Sequence, residues 1–105
     1  MVLRIEYKGK LGKILCNERL LKKEYPNDYK KIKNRMIELT SAENLSEISP
    51  FPPPKRHKLS DNYEGCWAVS YSPSSRIIFK PIGDYCIDDL KSIREIRIME
   101  LKDYH

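Results

Sequence analysis

Two histidines, His57 and His105, are the only imidazoles in the chain, and neither lies within an apolar stripe where a packed ring would be the default. His57 is flanked by Lys55, Arg56 and Lys58, whereas His105 follows Asp103 by two residues and is expected to have a terminal carboxylate beside it. Imidazoles in opposite electrostatic surroundings are what a base and an acid working as a pair require. A surface histidine beside unrelated charges fits the same spacing, and spacing alone does not choose between the two. Arg76 is a separate signal because it opens the apolar run Ile77-Ile78-Phe79. A strand arginine can aim a bidentate fork at a phosphate and stays charged while negative charge develops on phosphorus. It can equally form a cross-strand salt bridge with Glu95 or Glu100.

These groups need elements to position them. Val2 to Tyr7 sets Leu3, Ile5 and Tyr7 against Val2, Arg4 and Glu6, the alternation of a strand with one buried face. From Lys10 to about Tyr25, Leu11, Ile14, Leu15, Leu21 and Tyr25 recur near helical spacing, with a possible irregularity at Cys16-Asn17. After Pro26, Asn27 or Asp28 can cap a second helix that lines up Tyr29, Ile32, Met36 and Leu39. Pro50 to Pro54 is a rigid connector, with binding as a proline-rich ligand as its alternative role. Strands are expected around His57 to Ser60, Cys66 to Ser72, Arg76 to Lys80 and Ile93 to Lys102, with turns at Asp61 to Gly65 and Ser72 to Ser75. Gly83 to Ser92 reads as a longer, mobile excursion.

The order β-α-α-β-β-β(-β) predicts a two-layer α+β fold, a mainly antiparallel sheet with two helices on one face and the other face available. In the last strand Ile96 and Ile98 have one parity and Met99 and Leu101 the other, so either both faces are covered or a bulge intervenes. A central position in the sheet explains this most simply. Alternation beyond Leu101 puts Asp103 and His105 on one face and Tyr104 on the other. Of the aromatic residues, Tyr63, Trp67 and Tyr71 are potential stacking surfaces for bases, although Trp67 and Tyr71 share the parity of Val69 and fit a core better.

A chain of 105 residues is expected to form one domain, residues 1–105. Twenty Lys and Arg against fifteen Asp and Glu leave a net charge of +5, which favours a polyanionic partner. Cys16, Cys66 and Cys86 are odd in number and no cleavable apolar leader precedes them, so reduced thiols and a cytoplasmic location are expected. Neither Cys-x-x-Cys nor paired histidine spacing occurs, which argues against a metal site, and no cofactor is expected. No apolar run approaches the roughly 20 residues of a membrane span.

Four ordered blocks then stand out: Pro53 to Leu59, Gly65 to Val69, Ser75 to Phe79, and Asp103-Tyr104-His105. Together they resemble the HigB-type toxins of the RelE superfamily, ribosome-dependent messenger-RNA endonucleases of bacterial toxin–antitoxin pairs. The resemblance spans nearly the whole chain. It implies a microbial RNase-like fold, cleavage of mRNA in the A site of the 70S ribosome without a metal, and a HigA-type antitoxin with a helix-turn-helix domain. By position it implies catalytic roles for His57, Arg76, Asp103, Tyr104 and His105, with Lys55, Arg56, Lys58 and Lys80 contacting RNA. The sequence departs from the family pattern at Asn62-Tyr63, where many relatives carry a basic residue, so that phosphate contact is expected either to be absent or to be supplied by Lys58 or Arg56. A non-catalytic RNA- or protein-binding module using the same basic surface is the alternative.

Overall fold

The computed structural model of the chain describes residues 2–103. Leu3, Ile5 and Tyr7 do turn inward, and strand β1 runs Arg4–Tyr7. The helical run that follows is two helices, α1 (Leu11–Leu15) and α2 (Glu18–Glu24), so three helices stand where two were expected. Asn17 makes the break. Its side-chain oxygen accepts hydrogen bonds from the Arg19 and Leu20 amides at 3.0 and 3.3 Å, satisfying donors that a new helix start leaves open. Helix α3 (Tyr29–Ser41) buries Ile32, Met36 and Leu39 on one stripe. The proline connector then leads to β2 (His57–Lys58), followed by β3 (Trp67–Ser72), β4 (Ser75–Pro81) and β5 (Glu95–Asp103).

The strands lie in the order β1-β5-β4-β3-β2. Neighbours are antiparallel except β1 and β5, which run parallel with Arg4 matched to Glu95 and Tyr7 to Ile98. Short turns dictate the antiparallel pairs, whereas β1 reaches β5 across most of the chain and is free to adopt the other sense. β5 is therefore central at its start, with β1 on one flank and β4 on the other.

The conflict of parity within β5 resolves as a bulge. Phe79 pairs with Ile98 and Ile78 with Glu100, leaving Met99 as the extra residue. A residue inserted in one strand flips every side chain beyond it, so Leu101 joins Ile96 and Ile98 on the side the helices cover, and Met99 faces away. Leu21, Ile32, Leu39, Ile77, Phe79, Ile96 and Ile98 are almost wholly buried in that helix-side core. The opposite side has only a small cluster of Cys66, Ala68 and Ile78, flanked by Leu59, Tyr63 and Met99. Residues 83–92 form a tied loop. The Ser92 hydroxyl accepts from the Cys86 amide at 2.8 Å and donates to the carbonyls of Cys86 and Asp89, and Leu90 to Ser92 makes a 3-10 turn.

Candidate active site on the open face of the sheet

Register decides which side chains share the open face. His57 pairs with Ala68, Ala68 with Ile78, and Ser70 with Arg76, so His57 and Arg76 stand on the side away from the helices. They are two strands and one rung apart, a Cα separation of about 12 Å from standard sheet spacings. Lys80 lies on this face too, close enough to Cys66 that its charge opposes the upward push that burial gives the Cys66 thiol.

The His57 ring is held by its own loop. Nδ1 lies 2.8 Å from the Lys55 carbonyl oxygen, which can only accept, so Nδ1 carries the proton and donates. In the neutral ring Nε2 then holds a lone pair, the form a general base needs. Nε2 is buried and has no hydrogen-bond partner among the described residues. Lys55 can present its carbonyl this way because its backbone takes the left-handed conformation, φ +44, after a turn closed by its amide on the Phe51 carbonyl at 3.0 Å. The Ser70 amide donates to the Pro54 carbonyl at 2.7 Å, prolonging the β2–β3 pairing and tying the proline connector to the sheet.

Arg56, read in the sequence as an RNA contact, turns inward. Its guanidinium donates to the carbonyls of Leu45 and Ile48 at 3.1 and 2.7 Å and lies 5.7 Å from the centre of the Trp67 ring. Burial pushes its pKa down, and its charge is spent on carbonyls at a short 3-10 turn. Lys58 pairs with Trp67, one residue out of phase with His57, and so leaves the exposed edge strand towards the helix side. Trp67 and Tyr71 belong to the helix-side core, leaving Tyr63 as the aromatic on the open face.

Asp103 pairs with Ser75, one step out of phase with Arg76, so its rung belongs to the helix side and not to the face of His57. Its charge is felt by Tyr71, whose phenol is pushed up first by burial and further by Tyr25, Asp28 and Asp103, against a hydrogen bond from Ser75. The Met99 bulge sets this phase. Tyr104 and His105 lie outside the described residues. A cleft of about 470 Å³ wraps the end of β3 between Arg35 of α3, Pro52, Pro53, Lys55, Tyr71 and Arg76. Two cations read in the sequence, Lys55 and Arg76, thus line one cleft, and helix α3 contributes a third in Arg35.

Sequence reasoning missed the group that sits directly across from Arg76, which is Lys102. Its Nζ donates to the Tyr63 hydroxyl at 3.1 Å and lies 5.3 Å from the ring centre, while the Tyr63 hydroxyl donates to Glu100 Oε1 at 2.5 Å. Only the bulge reveals this placement, since uninterrupted alternation gives no reason to single out Lys102. Among the described residues no group of three His, Cys, Asp or Glu side chains gathers to hold a metal, and no helix is long and apolar enough to cross a membrane.

No protein-family model matches the sequence, and no curated protein does. Solved structures do. YafQ from E. coli superposes with a TM-score of 0.59 at 22% identity, over 96% of this chain and 92% of YafQ. A chain of the E. coli DinJ-YafQ toxin-antitoxin complex gives 0.61 at 19% identity, over 98% of this chain and 93% of that one. The YoeB-YefM complex from Staphylococcus aureus gives 0.58 at 17% identity, over 100% and 99%. At such identities the likeness is one of architecture: this chain has the α+β fold of RelE-like toxins.

Proposed function

We propose that the chain is the toxin of a type II toxin–antitoxin pair, a HigB-type endoribonuclease that cuts mRNA in the ribosomal A site in the cytoplasm. The observation that carries this reading is His57, its Nδ1 committed to a backbone carbonyl and its Nε2 an unpaired acceptor buried beneath the face that bears Arg76, where seating of the RNA has to uncover it. The toxin fold of the solved neighbours and the net charge of +5 support it.

RNA brings its own nucleophile. His57 Nε2 takes the proton of a 2′-hydroxyl, the 2′-oxygen attacks the adjacent phosphorus, and the bond to the 5′-oxygen breaks as that oxygen receives a proton from His105. The products are a 2′,3′-cyclic phosphate and a 5′-hydroxyl, with no metal in the cycle. Arg76 meets the charge on the pentacoordinate phosphorus. Asp103 acts on the His105 imidazole, and Tyr104 positions the scissile nucleotide. Lys55 and Lys80 add contacts to the RNA backbone, and the lysines of α3, Lys30, Lys31 and Lys33, grip ribosomal RNA through a salt-sensitive attraction. A HigA-type antitoxin with a helix-turn-helix domain neutralises the toxin.

Purified protein added to 70S ribosomes stalled on a defined message tests this. The expected result is scission within the A-site codon, weakened as salt rises. Binding of the message without scission would instead establish the non-catalytic RNA-binding module.

A further inference from the structure

Arg76 and Lys102 are opposed directly across adjacent antiparallel strands, an arrangement that places their Cα atoms about 4.5–5.5 Å apart and their side chains on one face. Two cations facing each other in this way repel, and by themselves they weaken a sheet. Lys102 is nevertheless fixed and not splayed away. Its ammonium donates to the Tyr63 hydroxyl and lies over that ring, and the same hydroxyl donates to Glu100, so β5 and the turn after β2 together orient one charge.

We propose that Arg76 and Lys102 form a two-cation clamp for a phosphate group of the RNA backbone, with Tyr63 and Glu100 as its positioning residues. The clamp rests on the proposed nuclease reading. It supplies the second cation that Asn62-Tyr63 lacks, where the sequence had pointed to Lys58 or Arg56. The structure turns Arg56 inward and sends Lys58 to the other side of its strand. In this account Tyr63 holds the phosphate-binding lysine that a basic residue in the same turn would replace. A guanidinium fork and a point-charge ammonium on one rung can each meet a different oxygen of one phosphodiester.

The test titrates the intact protein with inorganic phosphate, and separately with a six-nucleotide single-stranded RNA, following the side-chain nitrogen signals of arginine and lysine by NMR. Phosphate should shift the Arg76 and Lys102 signals together. Lys102→Gln should weaken RNA binding about tenfold, as expected for loss of one charged hydrogen bond. It should also reduce the slope of log affinity against log salt by about 0.7. Tyr63→Phe, which keeps the ring and both cations, should weaken binding by less while leaving the salt slope unchanged. Shifts confined to the α3 lysines, or unchanged affinity and slope in Lys102→Gln, would overturn the clamp. If phosphate shifts both signals while ribosome-bound message stays uncut, the nuclease reading fails and the clamp stands. If message is cut as well by Lys102→Gln as by the parent, the nuclease reading stands and the clamp falls.

Discussion

The two sides of this sheet are built to opposite rules. On the helix side, Phe79, Ile96 and Ile98 are wholly buried beneath Leu21, Ile32 and Leu39, and the side chains there fill space. On the open side a cluster of three buried residues, Cys66, Ala68 and Ile78, underlies His57, Tyr63, Arg76, Lys80, Glu100 and Lys102. The difference teaches a division of labour. Apolar burial at roughly 25 cal/mol per Å² on one side is what keeps charged groups in fixed register on the other. Replacing residues on the first side should therefore cost stability, and replacing them on the second should cost chemistry with the fold intact.

The sharpest break is expected from Phe79→Ala, which removes a fully buried ring from the centre of the helix-side core. It should destabilise the protein by about 3–5 kcal/mol, read as a lower denaturant midpoint. A loss under about 1 kcal/mol would mean that the core does not close over β4 as described.

Arg56 crosses the division, since it belongs to β2's loop yet spends its charge on the turn at Leu45 to Ile48. Arg56→Met keeps the stem and removes the donors. The expected cost is about 1–3 kcal/mol, because two carbonyls lose a charged partner. If Arg56→Met instead leaves stability untouched and weakens RNA binding, the residue belongs to the open face after all.

The smallest effect concerns pH. The Tyr7 phenol is pushed up to about 12, first by burial and then by its hydrogen bond with Cys16 and that thiol's charge. The fold thus prefers the protonated phenol. That contribution is complete below a pH of about 10, the ordinary tyrosine value, and is lost as pH rises towards 12. Tyr7→Phe should be less sensitive than the parent across this window, measured by denaturant midpoints at both ends. Equal alkaline losses in both proteins would remove Tyr7 from the account.

Local signals carried much of the fold into the sequence. Alternation from Leu3 to Tyr7, the apolar stripe Ile32-Met36-Leu39 and the turn at Ser72 to Ser75 all reflect contacts within a few residues, and each appears in the structure. Asn17 was legible as an irregularity, and as a cap it splits one expected helix into two. Parallel pairing of β1 with β5 was not legible, because it depends on residues some ninety positions apart that leave no local trace. The candidate site was half legible. Residue type singled out His57 and Arg76, but the Met99 bulge decides which later side chains join them, and it exchanges Asp103 for Lys102 on the open face. Arg56 looked like its basic neighbours until the carbonyls at Leu45 and Ile48 claimed it.

The most direct test of the central claim is brief expression in a bacterium, with the 5′ ends of messenger RNA mapped for the parent and for His57→Ala. The account predicts codon-phased cuts from the parent that fall by about 10²–10⁴-fold in His57→Ala, the contribution of one general base. Identical cuts from both proteins, or growth arrest by the parent without any new 5′ ends, would contradict it.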